Sequence, residues 1–126
     1  MARILLVEDD LDVRPLLEYV LGNEGGYEVT AVESVANATA LLAAQPFDLV
    51  VTDVNLPDGN GLRIADQAKA KGVNALVLTA HGLSLAPGEL AAYDYLLKPL
   101  RVQEFLDAVR RKLRREDRQV MSFPKP

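Results

Sequence analysis

Short apolar runs recur along this chain, each followed by a longer stretch in which apolar positions return every three or four residues. Ile4-Leu5-Leu6-Val7 predicts a strand buried on both faces. Val13, Leu16, Leu17, Val20 and Leu21 then form one helical stripe, which Asp12 can cap, with Pro15 tolerated in its first turn and Gly22 and Gly25-Gly26 ending it. Residues 28–32 alternate polar and apolar and read as an edge strand. Ser34 caps a second helix carrying Val35, Ala38, Leu41 and Leu42, which must end before Pro46. Leu49-Val50-Val51 is a third strand that runs to Asp53, and Pro57 and Asp58-Gly59 mark a turn beyond it. Asn60 or Gly61 opens a third helix with a weaker apolar face, Leu62, Ala65 and Ala68, closing at Gly72. Ala75-Leu76-Val77-Leu78 leads to Thr79, and residues 93–97 lead to Lys98-Pro99. A final helix places Val102, Phe105, Leu106, Val109 and Leu113 in register.

Strands alternating with helices predict an α/β fold, a doubly wound five-stranded parallel sheet of flavodoxin-like order 2-1-3-4-5. The stretch between Thr79 and Lys98 contains Gly82, Pro87 and Gly88. A helix there must start near Pro87 and finish before Tyr93, so the fourth helix is expected to be truncated, 3₁₀-like or mobile. Amide protection across residues 82–92 should then fall well below that of the first helix.

Composition narrows the chemistry. The 126 residues suffice for one domain, expected over residues 1–116, with 117–126 as a flexible tail. The absence of cysteine excludes disulfides and thiolate chemistry, and the single histidine, His81, disfavours a His-based zinc site. The chain opens on a strand rather than a leader, and no apolar run reaches membrane length, so a cytoplasmic location is expected. Net charge is −4, but residues 1–100 carry 6 basic against 14 acidic side chains and residues 101–126 carry 8 against 4. An acidic body argues against direct nucleic-acid binding, and the basic segment reads first as a solvated helix face.

The predicted strands end in chemistry. The first closes in Glu8-Asp9-Asp10, the third in Asp53, the fourth in Thr79 and the fifth in Lys98. In a parallel sheet these ends lie on one edge, where ligands bind. Clustered carboxylates repel, and Lys98 offers a single compensating charge. A divalent cation held by oxygen ligands, Mg²⁺, Mn²⁺ or Ca²⁺, would supply the rest.

These residues resemble the receiver domains of two-component response regulators over roughly residues 3–115. The resemblance rests on Leu6-Val7-Glu8-Asp9-Asp10, on Asp53 with Pro57 and Gly61 downstream, on Val77-Leu78-Thr79-Ala80, and on Tyr95-Leu96-Leu97-Lys98-Pro99. It implies that Asp53 accepts a phosphoryl group from a histidine kinase or a histidine phosphotransfer protein, with Mg²⁺ or, in its place, Mn²⁺. It further implies that Asp9, Glu8, Asp53 and the backbone carbonyl of Asn55 hold the metal. Thr79 and Lys98 would bind phosphoryl oxygens, the Lys98–Pro99 bond would be cis, and Thr79 and Tyr95 would form the conformational switch. Asn55 and His81, each two residues beyond a site residue, would tune the phosphoryl lifetime. The implied protein is a single-domain regulator and not an enzyme in the ordinary sense, since it catalyses only its own phosphorylation and dephosphorylation. It would signal through a downstream protein or a relay. The short fourth helix disfavours the family's usual activated dimer, leaving a monomer or a dimer through helices one and five.

Two other classes fit these residues less well. An aspartyl-phosphate phosphotransferase or phosphatase of the haloacid dehalogenase type carries a second Asp two residues after its nucleophile, where this chain has Asn55. A flavodoxin-like cofactor binder needs a phosphate loop after the first strand, and Glu8-Asp9-Asp10 would repel that phosphate.

Overall fold

A computed structural model describes residues 1–80, 88 and 90–122, with the backbone alone for residues 115–122. In chain order the elements are β1 (Arg3–Val7), α1 (Val13–Tyr19) continuing as a π-helical turn (Val20–Glu24), β2 (Glu28–Val32), α2 (Val35–Ala44) and β3 (Leu49–Asp53). A small hairpin of β4 (Asn55–Leu56) and β5 (Gly59–Asn60) follows, then α3 (Leu62–Ala70), β6 (Asn74–Thr79), a 3₁₀ turn (Leu90–Ala92), β7 (Tyr95–Leu97) and α4 (Val102–Ser122). The main sheet has the order β2-β1-β3-β6-β7 with every pairing parallel, the doubly wound order expected from the alternation.

The two-residue period of each strand sends neighbouring side chains to opposite faces. Ile4, Leu6, Leu49, Val51, Leu76 and Leu78 face α1 and α4, where they meet Leu17, Leu21, Phe105 and Val109. Leu5, Val7 and Val50 face the other way, toward Val35, Ala38 and Leu42 of α2 and Ile64 and Ala68 of α3. With helices on both faces the central strands are fully enclosed, which is why their sequences are apolar without alternation.

Several local expectations give way. Gly22 does not stop the first helix, because the chain crosses it in the π-helical turn and reverses only at Gly26, whose φ is +75°. Leu16 is 51% exposed, so the apolar stripe of α1 is narrower than its spacing suggests. Asp12 sits at the N-cap but makes no side-chain cap bond, and Asp10 Oδ1 instead accepts from the amides of Asp12 (2.8 Å) and Val13 (2.9 Å). The fifth strand begins at Tyr95 rather than Tyr93, since the Tyr93 amide still donates to Leu90 O (3.0 Å) in the 3₁₀ turn. That turn, with Ala91 N donating to Gly88 O (3.1 Å), is what the described part of the fourth connection contains, in keeping with the shortened helix expected there. Residues 82–87 and 89 of that stretch, and His81, lie outside the described residues. The backbone of α4 continues past position 116, so the expected start of a tail at 117 falls within a helix. Among the described residues no helix is long and apolar enough to cross a membrane.

Candidate functional site

Strand register brings the polar strand ends together. Val7 pairs with Thr52, Asp53 with Leu78, and Thr79 with Leu97, so Glu8, Asp53, Thr79 and Lys98 fall along one edge of the sheet. The ladder runs slightly past the strands: Glu8 N donates to Val32 O (3.0 Å), Val54 N to Leu78 O (3.0 Å) and Lys98 N to Thr79 O (2.8 Å). The backbone that carries each polar side chain is thereby fixed by its neighbour.

Lys98 is the hub of the side chains. Its Nζ donates to Glu8 Oε1 at 2.6 Å and to Asp53 Oδ2 at 2.9 Å. Glu8 is fully buried and Asp53 nearly so. Burial drives the Glu8 carboxyl above its ordinary range, against the opposing pull of Lys98 and the Asp10 amide. Burial also pushes the Lys98 ammonium down, but its bonds to Glu8 and Asp53 together outweigh that and leave it raised. Asn55 N approaches Asp53 Oδ1 at 3.4 Å. Thr79 is buried at the end of β6. The Lys98–Pro99 bond is cis, as the resemblance implied.

Glu8, Asp9 and Asp53 each offer a carboxylate oxygen within 4.8 Å of the others, and Asp9 is exposed to solvent. Two carboxylates at that separation repel by about 3.5 kcal/mol at an effective dielectric of ~20. Three anions face the one ammonium of Lys98, so the cluster retains an excess of negative charge. Hard, anionic oxygen donors with one open side suit a small divalent cation such as Mg²⁺. Asp10, third in the acidic run, does not join them. Its carboxylate turns to the start of α1, where the amides of Val13 and Asp12 hold it below its ordinary range.

Tyr95 is 44% exposed on β7, opposite Val77. Three roles at the site were not legible in the sequence. Arg14 Nη1 donates to Glu8 O (3.1 Å) and braces the acidic loop from the first turn of α1. Gly61 admits a close approach, because a Cβ there would lie 1.7 Å from Asp53 O. Asp58 accepts from Val35 N (2.8 Å) and Ala36 N (3.0 Å) at the start of α2. Its Pro-Asp-Gly setting signals only a turn, and no local pattern points to a partner more than twenty residues away.

Comparison with known proteins follows the same outline. Residues 4–110 match the family model for the response regulator receiver domain. The chain is 37% identical over 115 residues to the response regulator protein FleR of Pseudomonas aeruginosa, an alignment covering 87% of this chain and 24% of FleR. The response regulator TrrA of Thermotoga maritima, solved in complex with Mg²⁺-BeF, is 30% identical with a TM-score of 0.79, covering 90% of this chain and all of that one. The receiver domain of the sensor histidine kinase PA1611 of Pseudomonas aeruginosa, solved with a magnesium ion in its active-site cleft, is 28% identical with a TM-score of 0.78, covering 89% of this chain and 97% of that one. The chain spans 24% of the length of FleR and 53% of that of the protein PetR of Rhodobacter capsulatus, to which it is 36% identical over 126 residues.

Proposed function

The chain belongs to the response regulator receiver family, and from that premise we propose that Asp53 takes a phosphoryl group from the phosphohistidine of a histidine kinase or a histidine phosphotransfer protein. The observation that carries this reading is Lys98 Nζ bridging Glu8 and Asp53 beside the exposed carboxylate of Asp9. Glu8, Asp9, Asp53 and the Asn55 carbonyl would hold Mg²⁺, with Mn²⁺ as a substitute, and the bound ion offsets charge on the incoming phosphoryl oxygens. A carboxylate oxygen of Asp53, held in place by the Lys98 Nζ–Oδ2 bond, would attack phosphorus. As the new O–P bond forms, the P–N bond of the donor breaks and its electron pair stays on the imidazole. Lys98 neutralises developing charge, and the Thr79 hydroxyl would bind a second phosphoryl oxygen.

The phosphoryl group adds charge where burial already disfavours it, which draws Thr79 and Lys98 inward. Tyr95, half exposed on β7, would respond with Thr79 in the switch. Asn55 and His81 would tune the lifetime of the phosphoryl group. Output passes to a protein partner or along a phosphorelay, with the receiver domain a monomer or a dimer through α1 and α4.

Intact mass after incubation with acetyl phosphate and MgCl₂ tests the assignment. One phosphoryl adduct is expected, absent without divalent cation and absent in Asp53→Asn. A stable adduct of equal occupancy in Asp53→Asn would refute it.

A further inference from the structure

We infer that Asp58 is a positioning residue for this site, a clamp that seats the β4–β5 hairpin on the N-terminus of α2 and thereby fixes Asn55 against Asp53. The hairpin contains only two residue pairs, Asn55 with Asn60 and Leu56 with Gly59. A ribbon of that size has no stability of its own, so its position depends on external anchors.

The structure supplies anchors at both ends. At the base, Gly61 N donates to Val54 O at 2.7 Å, and Asn55 N reaches Asp53 Oδ1 at 3.4 Å. At the tip, the two Asp58 oxygens divide two amides, Oδ1 taking Val35 N (2.8 Å) and Oδ2 taking Ala36 N (3.0 Å). These first-turn amides have no acceptor within the helix, and the positive end of the helix dipole favours a carboxylate there. The same two amides hold the Asp58 carboxyl below its ordinary range, and Arg63 adds a smaller pull in the same direction. Leu56 of the hairpin and Val35 of α2 are buried in one apolar cluster. The polar clamp therefore joins two elements that also share one apolar cluster. The helix has its own cap in Ser34, whose Oγ accepts from Asn37 N at 3.1 Å, so the two caps serve different amides.

That division provides the test. Removal of Asp58 frees the hairpin, whereas removal of Ser34 weakens α2 without touching it. The clamp itself follows from the geometry; its effect on metal binding rests on the phosphoacceptor reading above. MgCl₂ titrations of the full chain followed by ¹H–¹⁵N NMR, and amide exchange in the same samples, should be run on wild type, Asp58→Ala, Asp58→Asn and Ser34→Ala. Asp58→Ala is expected to raise the Mg²⁺ Kd about tenfold, the lower end of what outer-shell partners contribute. It should also speed exchange at Asn55, Leu56 and Gly61 while Val50 and Val51 stay protected. Asp58→Asn, which keeps one anchoring acceptor, should fall between, and Ser34→Ala should match wild type in both readouts. Wild-type exchange or wild-type Mg²⁺ affinity in Asp58→Ala overturns the inference. So does a Ser34→Ala response as large as that of Asp58→Ala, which would reduce Asp58 to a helix cap. A wild-type protein unresponsive to Mg²⁺ would instead overturn the metal-dependent phosphoacceptor reading, and the exchange data alone would then decide the clamp.

Discussion

Gly61→Ala tests how the phosphoacceptor strand is held. The φ of Gly61 is −64°, an ordinary value, so backbone strain is not the reason for glycine here. The reason is contact. A Cβ would lie 1.7 Å from Asp53 O, 2.8 Å from Asp53 C and 2.8 Å from Thr52 Oγ1. Carbon approaches a carbonyl oxygen comfortably at about 3.3 Å, so the chains must separate by roughly 1.6 Å. The obstacle is backbone at the end of a fully buried strand and cannot rotate away. Separation would break the Gly61 N–Val54 O bond (2.7 Å) and disturb the Thr52 Oγ1–Asp53 O bond (3.0 Å). Two such bonds contribute about 1 kcal/mol each, and forced overpacking adds about 1–3 kcal/mol. The expected loss is therefore about 3–5 kcal/mol, out of a total of roughly 5–15 kcal/mol for a domain of this kind. Urea unfolding followed by circular dichroism measures it. A displacement of about 1 Å at Asp53 should also slow phosphorylation by acetyl phosphate by about 10²-fold under conditions where the variant remains folded. Gly72→Ala is the control: its φ is +76° with nothing within 4 Å of the added Cβ, so it should cost about 1–2 kcal/mol and leave phosphorylation unchanged. A Gly61→Ala protein within 1 kcal/mol of wild type, phosphorylated at the wild-type rate, would refute the contact argument.

Other outcomes follow from the same geometry. Asp9→Asn should raise the thermal midpoint in the absence of divalent cation, by relieving carboxylate repulsion, and should abolish any further rise on adding MgCl₂; a midpoint lower than wild type would contradict the excess of negative charge. Phe105→Ala, at a fully buried position on the sheet-facing side of α4, should cost about 3–5 kcal/mol in urea unfolding, and a loss under 1 kcal/mol would mean that α4 is not packed on the sheet as described. Because Asp58 is held below its ordinary value of 3.8, its contribution to stability is present above that pH and is lost as pH falls through the lower folded-state value. Wild type should therefore exceed Asp58→Asn in stability at pH 6 and converge with it in acid, whereas a constant difference would show that the carboxylate charge is not what α2 binds.

The sequence alone carried most of the architecture, because the sheet is buried on both faces and that burial writes itself into short, unbroken apolar runs. Ile4 to Val7, Leu49 to Val51 and Leu76 to Leu78 could be read as central strands for this reason, and the polar residue closing each run marked the ligand-binding edge. Glu8, Asp9, Asp53, Thr79 and Lys98 were legible as candidates because each follows such a run or, for Asp9, extends it. The structure decided how they share charge. Lys98 lies 90 residues from Glu8 in the chain, and its placement between Glu8 and Asp53 depends on parallel register, which no local pattern encodes. Where two local signals competed, tertiary packing chose between them. Leu16 fits the α1 stripe but lies outside the surface that the sheet covers, and Tyr93, β-prone by composition, completes the 3₁₀ turn and sends its hydroxyl to Asp66 Oδ1 at 2.7 Å. Asp58 and Gly61 show the same limit at the site. A turn-forming Pro-Asp-Gly and a helix-opening glycine are ordinary local features, and only the fold, by bringing the α2 amides to one and the Asp53 carbonyl to the other, makes each a structural requirement.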